Sequence, residues 1–343
     1  MSLFPLASSP RRAVRISQED LVRLSYLEPE RRYPLVIEPN IADLNPLSYV
    51  SSNRPFLEEQ LLLHGAILFR GFALQALGDF QQFIAAATSG ALPYTERSSP
   101  RSQVEGNIYT STDYPPDQPI FLHNEQSYNL VFPRKIMFFC TLPAERGGAT
   151  PIADCRRIYE RIPVAIREKF ERLGYMYVRN FGDGFGLPWQ EAFQTADRGA
   201  VERYCAENRI EVEWRGGGRL RTRQVRPAVA RHPVNGQMTW FNHLTFFHVS
   251  TLTPKVRDAL LAELKEEELP NNTYYGDGSP IELETLETLR GLYHEETVSF
   301  PWRQGDLLML DNMLSAHARE PFVGARKVVV GMADLTRWDD VRV

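Results

Sequence analysis

The sequence predicts a mainly β fold with α insertions, a sandwich or barrel decorated by helices. Three observations carry that prediction. Short apolar runs of strand length, AILFRGF, KIMFFCTLP, GDLLMLDN and RKVVVGMADL, recur between turn-rich segments. The helical patterns are few and fall in insertions between these runs. No internal repeat, low-complexity tract or Pro/Ser linker appears between residues 30 and 340, so the 343 residues read as a lead-in over 1–30 and a single domain over 31–343.

Taken in order, residues 1–30 are polar, Arg-containing and without periodicity. FLEEQLLLHG spaces its apolar residues as a helix does and ends at Gly65, a natural C-cap, before AILFRGF enters as a buried strand. LQALGDFQQFIAAATSG over 74–90 reads as a second helix, and the Ser-, Thr-, Pro- and Gly-rich stretch from Tyr94 to Gln118 as long loops. KIMFFCTLP is a strand, GGATPI a turn into another, and CRRIYERIPVAIREKFERLG a pair of helices punctuated by Pro163. WFNHLTFFHVS reads as a β-rich aromatic run. PKVRDALLAELKEEEL reads as a helix with Thr253 as N-cap and Pro254 in its first turn. GDLLMLDN and RKVVVGMADL close the chain as two strands, with a loop carrying His317 between them.

Composition narrows the function classes. Thirty-nine Lys and Arg against 43 Asp and Glu give a net charge of −4, which argues against a general nucleic-acid binder. Cys140, Cys155 and Cys205 are too few and too scattered for a disulfide framework or a CxxC metal site. The N-terminus lacks the apolar core of a signal peptide, and the longest apolar stretch near it falls far short of the ~20 residues of a membrane span. A cytoplasmic protein with no membrane partner is the expectation.

Chemistry concentrates first in FLHNEQSY. In an extended segment, side chains two apart share a face, so His123 and Glu125 would converge on one ion. A third ligand is needed, and His317 in LMLDNMLSAHARE is the best placed, although His64, His232, His243, His248 and His294 remain competitors. Two imidazoles and a carboxylate form a facial triad that leaves coordination positions open, and this donor set suits Fe(II). Such a metal favours an anionic chelating co-substrate whose far carboxylate needs an anchor. Arg326, nine residues after His317, offers a guanidinium fork, and Thr150, after Gly147 and Gly148, a hydroxyl.

These segments, with HGAILFRGF, PAERGGATPIADCR, AVARHPVNGQMTWFNH, GDGSPIE and FPWRQGDLLMLDNMLSAHAREPFVGARK, resemble the TauD/TfdA family of Fe(II)/2-oxoglutarate dioxygenases. The likeness is to its SyrP-like, clavaminate synthase-like branch and spans roughly residues 35–335. It implies a double-stranded β-helix (jelly-roll) core. It also implies iron ligation by His123, Glu125 and His317, and binding of the distal carboxylate of 2-oxoglutarate by Thr150 and Arg326, with O2 as the second co-substrate. Related halogenases carry a small residue in place of the carboxylate, so Glu125 disfavours halogenation. Taurine dioxygenase-like members carry a substrate-gripping Arg four residues after the 2-oxoglutarate Arg, where this chain has Val330.

The resemblance implies hydroxylation of an unactivated C–H bond in natural-product biosynthesis. The substrate would be a small amino-acid-like molecule, free or presented by a carrier protein. Desaturation, cyclisation or cleavage on the same cofactors, and a jelly-roll binding protein without turnover, are the alternatives. Asn124, Tyr128, Phe241, Asn242 and His243 are the candidate substrate residues, since aromatic runs with a few polar groups make small-molecule sites. The arginines between Arg198 and Arg231 suggest a docking face for an acidic partner.

Overall fold

The longest apolar run makes the centre of the sheet. In the computed structural model, which describes residues 18–93, 101–182, 184 and 186–341, two short ladders stand apart, Arg146–Gly147 with Phe322–Val323 and Ala230–Arg231 with Met238–Thr239, and the other strands fall into two facing sheets and a side sheet. In chain order they are Val22–Glu28 (β1), Arg31–Pro39 (β2), Ala66–Phe69 (β3), Gln103–Glu105 (β4), Ile108–Thr110 (β5), Ile120–His123 (β6), Val131–Leu142 (β7) and Ile152–Asp154 (β8). Tyr175–Phe181 (β9), Glu211–Trp214 (β10), Leu220–Arg226 (β11), Asn271–Tyr275 (β12), Thr297–Val298 (β13), Leu307–Asp311 (β14), Ser315–Arg319 (β15) and Lys327–Arg337 (β16) follow.

The main sheet runs β1-β2-β3-β14-β7-β16-β5-β4, the minor sheet β13-β8-β15-β6, and the side sheet β10-β11-β9-β12. β7 is flanked by β14 and β16, both antiparallel, with Phe138 opposite Leu308 on one side and Val330 on the other. A stretch of strand buried on both faces should be a continuous apolar run, as Ile136–Cys140 of β7 is.

Alternation sorts the two faces. Ile136, Phe138, Cys140, Leu308, Leu310, Val328 and Val330 point toward the minor sheet and pack with its Ile152 and Val298. Their neighbours Met137, Phe139, Leu307, Met309 and Val329 point the other way, against helices Arg54–His64 and Leu77–Ala87. This is the jelly-roll arrangement expected, and Val330 is a fully buried member of its inter-sheet core. Gly65 caps the first of these helices at φ 77°, as its position suggested.

Four expectations change. β1 pairs with β2 along its length, so from Val22 onward the lead-in is part of the main sheet; residues 1–17 lie outside the described residues. The stretch 94–118 is not all loop: 94–100 lie outside the described residues, but β4 and β5 pair and extend the main sheet. WFNHLTFFHVS is not a strand: Leu244–Phe247 is a short helix and Val249–Thr251 a 3-10 turn. Local side-chain acceptors out-compete a ladder there, because Asn242 Oδ1 takes the amide of Leu244 and His248 Nδ1 that of Ser250. His317 sits on β15 rather than in a loop, since the small residues of SAHAR gave no strand signal.

Candidate metal centre and co-substrate cavity

β15 and β6 are antiparallel neighbours, and their register places His317 directly opposite His123. The two imidazole centroids are 4.4 Å apart. β6 ends at His123, so Glu125 lies on the turn that follows, not on an extended face. The adjoining Gln126 takes φ 53°, turning the chain sharply there. One donor atom from each of His123, Glu125 and His317 lies within 4.8 Å of the others, and all three residues are buried.

The tautomers suit a cation. His123 Nδ1 is 2.8 Å from the carbonyl of Phe121, and a carbonyl only accepts, so Nδ1 carries the proton and Nε2 keeps its lone pair. His317 Nε2 is 3.8 Å from Glu125 Oε2. Burial, and then for His317 the neighbouring His123 and Arg101, push both imidazoles below the usual histidine range. Neutral imidazoles beside a carboxylate are the donor set of a hard-to-borderline divalent metal, and Nδ1 of His317 is buried without a hydrogen bond. The residues therefore fit Fe(II). Arg101, which the sequence reading missed because it lies in an aperiodic Ser/Arg stretch, donates to Glu125 Oε2 at 2.6 Å.

The trio opens into a cavity of about 560 Å3 that Thr150 and Arg326 also line. Arg326 is held as a fork: Nε donates to Gly148 O at 2.8 Å, Nη1 to Ser111 Oγ at 3.2 Å and Nη2 to Thr150 Oγ1 at 3.4 Å. Gly148 has φ +72°, and a Cβ there would stand 3.0 Å from Arg326 Cδ, so only glycine lets the guanidinium lie so close. Trp302 Nε1 also donates to Thr150 Oγ1, at 3.1 Å. With its oxygen accepting from two sides, the Thr150 hydroxyl has its own hydrogen left to donate to an anion. Burial and the nearby Arg319 bring the Arg326 guanidinium down to about 10, still cationic at neutral pH. Trp302 was legible only as part of the FPWRQGD motif.

The five candidate substrate residues do not line the cavity; they stand behind it. Phe241 packs in a separate core with Phe132 and Trp338. Tyr128 and His243 pack edge to face, and His243 in turn lies 4.9 Å from the His123 ring. Asn124 donates to Asn312 O at 2.7 Å, and Asn242 Nδ2 to Ala228 O at 2.8 Å. Polar groups in an aromatic run looked like a site; here they satisfy buried backbone. The cavity is lined instead by Phe246, whose ring stacks on His123 with centroids 4.8 Å apart, and by Arg179, His248 and Asn271, with Val256 and Leu260 from helix Pro254–Glu263. His248 Nδ1 accepts from the Ser250 amide and lies 2.8 Å from its hydroxyl, whose oxygen is engaged by Arg290, so the ring's proton sits on Nε2. Burial lowers this imidazole to about 4, making it a fixed neutral donor.

The arginines between 198 and 231 do not form a free face. Arg226 is buried and donates to Tyr128 O and Asn208 O, and Arg221 bonds Asn180. Arg215 and Arg223 share Glu213, and Arg198 lies over Trp214.

Comparison with known proteins gives this geometry its context. The model of the taurine catabolism dioxygenase TauD, TfdA family matches residues 31–333. The chain belongs to that family. This TauD/TfdA member is a non-haem Fe(II)/2-oxoglutarate-dependent dioxygenase, with O2 as the other co-substrate. It is 42% identical over 278 residues to the dapdiamide synthesis protein DdaC of Enterobacter agglomerans, covering 81% of this chain and 84% of that one. A clavaminate synthase-like protein of Arabidopsis thaliana is 29% identical over 318 residues, 88% of this chain and 93% of the relative. Among solved structures, PvcB of Pseudomonas aeruginosa superposes with a TM-score of 0.55 at 17% identity, covering 94% of each chain. PvcB is described as an Fe, alpha-ketoglutarate dependent oxygenase from an isonitrile synthetic pathway. Among the described residues, no helix is long and apolar enough to cross a membrane.

Proposed function

We propose that His123, Glu125 and His317 bind the Fe(II), that Thr150 and Arg326 hold the distal carboxylate of 2-oxoglutarate, and that the enzyme hydroxylates an unactivated C–H bond of an amino-acid-like substrate in natural-product biosynthesis. The observation that carries the reading is convergence: three ligand atoms within 4.8 Å open into the same cavity as an arginine fork and an oriented hydroxyl. When bound, iron and 2-oxoglutarate supply the oxidising chemistry by reducing dioxygen. The chain's own residues divide the remaining work. Neutral His123 and His317, with the Glu125 carboxylate beside them, offer the donor set. Arg326 and Thr150 fix the keto acid's far end, which sets where its keto group meets the metal.

The substrate then lies in the cavity beside the trio, against Arg179, Phe246 and His248, where a neutral donor at His248 Nε2 meets a carbonyl or hydroxyl of the substrate. Val330, sealed in the core, leaves no acid grip at that position. Helix Pro254–Glu263 lines the cavity although none of its residues is buried, so this side is the route by which a substrate, free or on a carrier protein, reaches the interior. A biosynthetic role is supported by the names of DdaC and PvcB.

Anaerobic addition of Fe(II) and 2-oxoglutarate should give the weak visible metal-to-ligand charge-transfer band of this chelate. Its absence, or a Glu125→Ala variant that binds iron normally, would refute the assignment. A screen of amino acids and their amides for stimulated succinate release then finds the substrate class. Gain of one oxygen atom in the product means hydroxylation, and loss of two hydrogens or fragmentation means another outcome.

A further inference from the structure

We infer that Asn312 is a positioning residue of the metal centre, holding the Glu125 turn in place through the backbone rather than the carboxylate. The inference rests on the metal assignment proposed above. β6 stops at His123, so the peptide of Glu125 has left the ladder that positions the two imidazoles. Asn312, immediately after β14, fills that gap with its side chain. Its Oδ1 accepts the Glu125 amide at 2.8 Å, and its Nδ2 donates to Glu125 O at 2.9 Å and to Pro133 O at 2.8 Å. A primary amide presents the donor and acceptor of a peptide, so one side chain stands in for a missing strand neighbour.

The residue's own backbone is equally committed. Its amide donates to Arg134 O at 2.7 Å, and its carbonyl accepts from Asn124 Nδ2 at 2.7 Å. Asn124 and Asn312 are both fully buried, and Glu125 is nearly so. Asn124, Glu125 and, on the following strand β7, Pro133 and Arg134 are thereby tied to one residue at the end of β14. Five residues further on, the same segment delivers His317. Asn312 thus couples the carboxylate arm of the site to an imidazole arm. A side chain fixed only at its carboxylate by Arg101 would instead be free to follow that arginine away from the ion.

The test uses Asn312→Ala and Asn312→Asp in the full chain, with anaerobic Fe(II) titration and the ligand-field spectrum of the Co(II)-substituted protein as readouts. Loss of a partner that orients a metal ligand costs about 10- to 100-fold in metal affinity. Both variants should show that weakening and a changed Co(II) spectrum. Leu57→Ala, in the core behind the main sheet, should lower thermal stability and leave both unchanged. Metal affinity within about threefold of wild type in a folded Asn312→Ala would overturn the inference. So would an equal loss in Leu57→Ala, which would make the effect one of general stability. If Glu125→Ala also binds metal normally, the metal assignment has failed; if only the Asn312 variants do, the positioning role has. Should neither Asn312 variant fold, hydrogen exchange at the Glu125 amide of the wild-type protein decides. Protection that rises with Zn(II) supports the clamp, and an unprotected, metal-insensitive amide rejects it.

Discussion

Replacing Arg326 by glutamine should separate stability from co-substrate binding. Burial and Arg319 lower this guanidinium from the usual arginine range to about 10. A drop of that size means that burying the charge costs the metal-free fold about 3 kcal/mol. The group is a base with a depressed folded value, so the cost is present at every pH below about 10 and is relieved only above it. Glutamine removes it but also removes up to three hydrogen bonds, to Gly148, Ser111 and Thr150, worth about 1 kcal/mol each. The two effects nearly cancel, and stability of the metal-free protein by urea unfolding should change by less than about 1–2 kcal/mol. Binding of 2-oxoglutarate loses the buried charge partner of its carboxylate, worth about 2–5 kcal/mol. That is roughly a 30-fold to several-thousand-fold rise in Kd, read from the charge-transfer band in an anaerobic titration. A Kd within about threefold of wild type would refute the reasoning. So would a loss of more than about 3 kcal/mol of stability, which would make weak binding a by-product of unfolding.

Three further outcomes follow from the same geometry. Trp302→Phe removes one neutral donor from Thr150 Oγ1 and should weaken 2-oxoglutarate by about two- to tenfold while leaving Fe(II) affinity alone; an unchanged Kd would mean Thr150 needs no orienting. His248→Phe keeps the ring and loses the Nε2 donor, so KM for the substrate found in the screen should rise by up to about tenfold with the charge-transfer band intact, and an unaltered KM would remove His248 from the substrate wall. All three cysteines are buried, and burial pushes the thiols of Cys140 and Cys155 up to about 12. Acid strength this low leaves almost no thiolate at pH 8, so a thiol reagent should see none of the three until denaturant is added, and rapid native labelling would contradict the packing.

The sequence displayed most clearly what depends on local pattern. The β7 and β16 runs, the helix ending at Gly65 and the helix opening at Pro254 are each specified by nearby residues, and each is found in place. His317 is different. Its strand, SAHAR, has no apolar period and exists because β6 and β8 lie on either side of it. The convergence of His123, Glu125 and His317 was reached by assuming an extended H-x-E, whereas the structure uses a ladder for one residue and a turn for the other. The substrate wall was misread for a physical reason: aromatic and amide side chains clustered in sequence serve buried backbone as readily as a ligand. Nothing local assigns a role to Arg101, Asn312 or Trp302, because their partners lie 24, 187 and 152 residues away.

The unequal mounting of the three candidate ligands has a consequence for how such a chain can diverge. Both imidazoles are held by a strand pairing that the fold needs for its own closure, so altering either position disturbs architecture as well as chemistry. The carboxylate hangs from a turn secured by a side chain, outside the ladder. It is the one ligand that can be exchanged for a smaller residue while its two companions stay in register, so descendants of this scaffold can acquire a vacant coordination position, and with it a different reaction, without rebuilding the barrel.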